Sequence, residues 1–200
     1  TIDLYATSND IAVTTDAGAD LVIAGAGQNN LSTGADDDTI QFLNANFDGN
    51  DTVAGGAGTN TLEITDDATV VDTDFTHVTD VQTLLLDGTG AQSITLGTAA
   101  DAAGVVTVDA HQGTASTIDL YATSNDIAVT TDAGADLVIA GAGQNNLSTG
   151  ADDDTIQFLN ANFDGNDTVA GGAGTNTLEI TDDATVVDTD FTHVTDVQTL

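Results

Sequence analysis

Thr15 to Gln41 reads TDAGADLVI, AGAGQNNLS, TGADDDTIQ: three nine-residue stretches, each with six turn-forming residues and then three residues centred on an apolar one, Val22, Leu31 and Ile40. An apolar residue between two outward-pointing neighbours is the shortest β-strand with one buried face, and Gly, Asp, Asn and Thr are the residues that let a chain turn between such strands. Outward from this stretch, Val13 lies nine residues before Val22, while Val53 and Leu62 follow after a 13-residue step in which Phe42 to Ala45 interrupt the rhythm. A strand of three residues buries almost nothing alone. Stacked in register at about 4.8 Å per coil, such strands share one interior filled by ladders of like residues. The pattern therefore predicts an all-β chain, a parallel β-solenoid without helices, in which the 13-residue step bulges as a loop and Phe42, Phe47 and Phe75 cover its ends or the core edge.

A longer period contains the short one. Thr1 to Leu84 recurs without substitution as Thr117 to Leu200, a period of 116 residues, and no Pro- or Ser-rich linker marks the joint. Two units are expected, 1–116 with nonapeptides at about 15–63 and a truncated 117–200 with nonapeptides at about 131–179. In the second copy the apolar ladder runs Leu120, Val129, Val138, Leu147, Ile156, Val169 and Leu178. Between the nonapeptide stretches, short alternating pairs continue the pattern at wider spacing: Leu84/Leu86, Ile94/Leu96, Val106/Val108 and Ile118/Leu120. Beginning at Thr1 and broken off within a unit, the chain reads as a window on a longer continuous array, with roughly six coils and about 30 Å of length per unit.

The composition restricts what such an array can do. There are 33 acidic residues, no Lys or Arg and three His, for a formal charge of −33. Nucleic acids and anionic membranes are excluded as partners, because both require cationic side chains. The absence of Cys excludes disulfides and thiol chemistry. No apolar run is long enough to cross a bilayer. Hydrophobic residues still make up 40% of the chain, too many for a disordered polyanion, so something must neutralise the carboxylates while Val, Leu and Ile are buried. A hard divalent cation with oxygen ligands meets that need.

Gly55 to Glu63, GGAGTNTLE, carries the pattern most openly: Gly-Gly-x-Gly-x, then Asn60, one residue, and Leu62. It resembles the RTX calcium-binding nonapeptide GGxGxDxUx, in which U is a large apolar residue. The resemblance covers about 50 residues of each unit. It implies a calcium β-roll, here continuous with β-helix rungs that bind no calcium, and a place in a large secreted bacterial protein exported by a type I route. Such a segment is expected at the cell surface or in the extracellular matrix, as a fibre, sheath or surface-layer element. The alternative is the stalk or binding region of a giant RTX adhesin that attaches cells to surfaces or biofilm. The implied partners are calcium ions, neighbouring repeats along the chain and laterally associated chains.

The spacing has its own physical sense. Successive nonapeptides lie on opposite sides of the roll, so turns 18 residues apart share an edge. Their glycines turn carbonyl oxygens inward, and the sixth residue adds a side-chain oxygen. Asp20 and Asp38, with Asp36 close by, meet that spacing, and Asp136, Asp152 and Asp154 repeat it. Asn29 and Asn60, with Asn145 and Asn176, hold the sixth position with a neutral oxygen. Asp51 and Asp167 keep a carboxylate after the inserted loop. These twelve residues are the expected metal ligands. An acidic run is usually a solvated turn, and of Asp36, Asp37 and Asp38 it is Asp37 that is expected to face water. Asp66, Asp67, Asp72 and Asp74 lie outside the motif and read as solvated surface. His77 and His111 have no zinc-type spacing, and Ser93 and Ser116 have no nucleophile-elbow sequence, so no enzymatic site is expected.

Overall fold

A computed structural model describes all 200 residues. The chain winds into a parallel β-solenoid built from three sheets of ten, six and four strands. The ten-stranded sheet runs the whole length. Its central residues pair in register through Ile2, Val22, Ile40, Leu62, Leu84, Val108, Val129, Leu147, Val169 and Val194, one per coil over about nine turns. Opposite it, the four-stranded sheet stacks Val13, Leu31, Val53 and Val78. The six-stranded sheet then takes over, stacking Val70, Ile94, Ile118, Val138, Ile156 and Leu178. These side chains fill the interior, and nearly all between Val22 and Leu178 are fully buried. The apolar position of each nonapeptide is thus the inward position, because β side chains alternate between faces.

The unit does not close on a whole number of coils. Val13 lies in the four-stranded sheet, yet its repeat, Val129, lies in the ten-stranded one. From Val13 the chain reaches the long sheet at Val22 after half a coil, then returns to it at Ile40, Leu62, Leu84, Val108 and Val129, five full coils later. A unit is five and a half coils, about 26 Å at 4.8 Å each, rather than the expected six. Identical sequences in successive units therefore face opposite ways.

The rungs between the nonapeptide stretches depart from expectation in three places. Thr98–Ala103, TAADAA, is an α-helix where none was expected. Alanine is the strongest helix former and a six-residue apolar period cannot show it. The helix ends at Gly104 with φ +100°, as left-handed glycine caps do. Its first turn is held by Asp72, whose carboxylate accepts from the N–H groups of Gly97 at 2.7 Å, Ala99 at 3.1 Å and Ala100 at 3.0 Å. Asp72 is thus a cap rather than a solvated surface charge. Asp74 likewise accepts from Val71 N–H, Asp66 from Asn44 N–H and Asp67 from Gly90 N–H. Val106 points outward at 41% exposure, and the inward residues of that rung are Val105, Val108 and Ala110. The helix uses up the preceding residues, so the strand Thr107–Ala110 begins one position later than the alternation suggests.

The inserted loop also differs from its reading. Phe42, Phe47 and Phe75 do not border the core but lie within it, at 4% exposure or less. Their rings pack in sequence, with centroids 5.3 and 5.5 Å apart and the second pair edge to face, a favoured aromatic geometry. Phe158, Phe163 and Phe191 repeat the arrangement.

Candidate metal centre

Each edge of the solenoid is a column of turns joined by one recurring bond: a side-chain oxygen accepts from the backbone N–H one coil earlier. In the first unit, Asp38 Oδ1 accepts from Asp20 N–H at 2.8 Å, Asn60 Oδ1 from Asp38 N–H at 3.0 Å, and Gln82 Oε1 from Asn60 N–H at 2.7 Å. In the second, Asp136 Oδ1 accepts from Ser116 N–H at 2.5 Å, Asp154 Oδ1 from Asp136 N–H at 2.9 Å and Asn176 Oδ1 from Asp154 N–H at 2.9 Å. In each unit the edge opposite that column shows the same bond, from Asn29 N–H to Asp51 in the first and from Asn145 N–H to Asp167 in the second, both at 2.8 Å. At Asp38, Asp51, Asn60, Asp136, Asp154, Asp167 and Asn176 the sixth position is therefore structural before it is anything else.

Glycine geometry brings the turns close together. Gly34, at φ +100°, lies so near the Asp16 carbonyl that a Cβ there would collide with it, and Gly56 stands in the same relation to the carbonyl of Gly34. Carbonyl oxygens of one turn are thereby pressed against the next. Ala17, Ala35 and Ala57 join these turns by isolated parallel bridges, as do Ala133, Ala151 and Ala173. Alanine at this third position leaves the backbones free to approach.

The second carboxylate oxygens decide what the turns can do. Asp38 Oδ2, Asp136 Oδ2 and Asp154 Oδ2 are buried without a hydrogen-bond partner. A buried charge without compensation is costly. Burial, reinforced by the charges of Asp154 and Asp132, raises the pKa of Asp136, and burial with Asp152 and Asp153 nearby raises that of Asp154. The chain has no Lys or Arg to neutralise them. An ion with oxygen ligands fits these turns: it would accept the orphaned carboxylate oxygens together with inward carbonyls. No group of three or more acidic or histidine side chains gathers at one point, so most donors must be backbone oxygens.

The sequence-predicted residues divide accordingly. Asp20 and Asp38 share one edge, and Asp136 and Asp154 the other. Asp36 and Asp152 are exposed at φ +81° and +84°, where Gly18 and Gly134 stand in the preceding turns. Each carboxylate accepts from that glycine's N–H one coil below. Asp51 and Asp167 are buried with both oxygens bonded, the second from Asp48 N–H and Asp164 N–H, and burial raises the pKa of both. Asn29, Asn60, Asn145 and Asn176 are buried and donate from Nδ2 into carbonyls. Asp37 is exposed and accepts from Thr59 N–H. His77 and His193 bond to the carbonyls of Gly49 and Gly165, and His111 pairs with Asp109. The sequence reading passed over Gln82, Gln92 and Gln198, which occupy the sixth-position column in rungs without the nonapeptide signature. Their spacing of 22 residues from Asn60 and Asn176 is the signal that could have found Gln82 and Gln198.

The family model of the RTX calcium-binding nonapeptide repeat matches in four copies, over residues 13–41, 47–63, 129–157 and 163–179. The chain carries RTX calcium-binding repeats. The matched stretches contain every edge turn described above for the nonapeptides, and calcium is the ion the RTX turns imply. No curated protein and no solved structure matches the chain significantly.

Proposed function

We propose that this RTX segment is a calcium-stabilised structural rod, one stretch of a large secreted bacterial surface or matrix protein that forms a fibre, sheath or surface-layer element. The observation that carries this reading is the unbroken ten-stranded sheet. It crosses the junction between units through Val108 and Val129 with no change in pairing, so each unit is the floor of the next. Repetition of that kind adds length rather than a unique site. Ca²⁺ is held at the acidic turns by Asp20 and Asp38 in one unit and Asp136 and Asp154 in the other, together with turn carbonyls. Extracellular modules bind calcium at about 10⁻⁴ to 10⁻³ M, so such sites fill outside the cell and stay empty in the cytosol. No helix is long and apolar enough to cross a membrane.

Circular dichroism and small-angle scattering of the 200-residue chain in excess CaCl₂ and in EDTA test the calcium step. The expected result is a compact β rod with calcium and loss of that order without it. Identical spectra in both would overturn it. Electron microscopy of the native protein tests the role: calcium-dependent filaments support a structural element, whereas isolated stalks ending in a knob support an adhesin.

A further inference from the structure

The turns with asparagine or glutamine in the sixth column show what replaces a cation. Asn60 uses its amide twice: Oδ1 accepts from Asp38 N–H, while Nδ2 donates to Asp80 O at 2.9 Å and lies 3.5 Å from Gly56 O. Asn176 does the same, with Nδ2 donating to Gly171 O at 2.7 Å and Asp196 O at 3.0 Å. Gln92, in a rung outside every family match, repeats the device. Its Oε1 accepts from Ala68 N–H at 2.6 Å, and its Nε2 donates to Gly88 O at 2.9 Å and Gly90 O at 3.1 Å. Asn29 and Asn145 also donate into their own turns, to Gly27 O at 2.7 Å and Gly143 O at 2.8 Å, although their Oδ1 atoms have no partner.

Asp38 and Asp154 stand one coil below Asn60 and Asn176 in the same columns, and their Oδ1 atoms make the same bond. Their Oδ2 atoms replace the donating Nδ2 and are orphaned. A carboxylate has no proton to give the turn carbonyls, whereas an amide supplies the donating hydrogens itself.

We propose that the side-chain amides of Asn60, Asn176 and Gln92 take the place of a calcium ion in their turns, so that the solenoid takes metal at its aspartate turns and is closed without metal at its amide turns. This rests on calcium being the ion of the aspartate turns, and it narrows the ligand set expected from sequence by removing Asn60 and Asn176. It also explains how calcium turns and metal-free rungs share one continuous edge: the same column position is filled either by a carboxylate with a cation or by an amide alone.

Exchanging the two chemistries in the 200-residue chain tests it, with calcium stoichiometry read by isothermal titration and melting in EDTA by circular dichroism. Asn60→Asp with Asn176→Asp should add about one ion per substituted turn and lower the melting temperature in EDTA, with excess CaCl₂ restoring it. Gln92→Glu should create calcium-dependent stability in a rung without the nonapeptide motif. Asp38→Asn with Asp154→Asn should bind fewer ions and melt higher in EDTA, which keeps the test decisive if the acidic variants fold poorly. Unchanged stoichiometry in the asparagine-to-aspartate variant, or destabilisation that calcium does not reverse, overturns the proposal, as does a lower EDTA melting temperature for Asp38→Asn with Asp154→Asn. A wild-type chain that binds no calcium overturns the calcium reading instead, while EDTA melting of the variants still reports on the amides.

Discussion

Asp38 and Asp154 hold the same place in identical turns, yet they lie on opposite edges of the solenoid. The turn of Asp38 leads into the ten-stranded sheet at Thr39–Phe42, and that of Asp154 leads out of it, from Asn146–Ser148 toward Thr155–Phe158 in the six-stranded sheet. The cause is the half coil left over in each unit. A long array therefore places its acidic turns alternately on both edges, and its true period is two units and eleven coils, about 53 Å. Gadolinium in place of calcium makes this measurable by dipolar spectroscopy on the 200-residue chain. The axial separation of the two acidic columns is about 26 Å, so ions on opposite edges should show a distinctly longer distance, because the width of the roll adds to it. A distribution centred at the axial value would place them on one edge and refute the half-coil offset.

The three-ring stack predicts unequal costs for the same substitution in the two copies. Phe47 lies between Phe42 and Phe75, all buried, beneath the rung that carries the helix. Phe163 contacts Phe158 and Phe191, but Phe191 is only partly buried. Phe47→Ala should cost about 3–5 kcal/mol, the range for a buried phenylalanine that leaves a cavity. In the 200-residue chain Phe163→Ala should cost less, because Phe163 is itself buried but its neighbour Phe191, in the last rung of that chain, is only partly covered. Urea unfolding in saturating calcium checks the order, and equal losses would contradict it.

The nine-residue period made the solenoid, its parallel register and its inward residues legible, since Val22, Leu31 and Ile40 can be buried together in no other simple way. The same spacing placed Asp20 over Asp38. Three kinds of information were hidden. The half-integer coil count depends on how the chain between Leu62 and Val129 spaces its strands, where coils of 22, 24 and 21 residues follow one another without a motif. The helix at Thr98–Ala103 is stabilised by Asp72, which precedes it by a full coil, so no local pattern shows the cap. The direction in which an amide donates is likewise invisible: Asn60 reads as a weak calcium ligand, whereas its Nδ2 turns toward carbonyls.

Two glycines separate backbone conformation from close approach. Gly18 and Gly34 both have positive φ, +107° and +100°. In the 200-residue chain a Cβ on Gly18, in the first turn of its column, would meet nothing, whereas one on Gly34 would run into the Asp16 carbonyl and one on Gly134, the repeat of Gly18, into the Thr114 carbonyl. Gly18→Ala should therefore cost only the conformational penalty, about 1 kcal/mol. Gly34→Ala should cost more and also weaken calcium binding, because it forces apart two turns whose carbonyls must converge. Titration calorimetry and thermal melting of both variants test this, and equal affinities for calcium would remove the carbonyls of that gap from the site.

Acidity should act in opposite directions with and without the ion. Burial raises the pKa values of Asp51, Asp136, Asp154 and Asp167 above the ordinary 3.8. A group whose pKa is raised by folding binds protons more tightly in the folded state, so its contribution to stability is present below 3.8 and lost as pH rises through the raised value. In EDTA the chain should therefore be least ordered near neutral pH and recover β structure as pH falls toward the carboxylate range. With calcium bound the sign reverses, because carboxylates must be deprotonated to hold the metal. Falling net charge also relieves self-repulsion in the chelated chain, so the control is Asp136→Asn with Asp154→Asn, which removes two of the groups whose pKa burial raises and should flatten the pH dependence in EDTA. Melting curves across this range, in chelator and in CaCl₂, should cross. If both sets fall together with pH, buried unneutralised carboxylates are not what destabilises the metal-free roll.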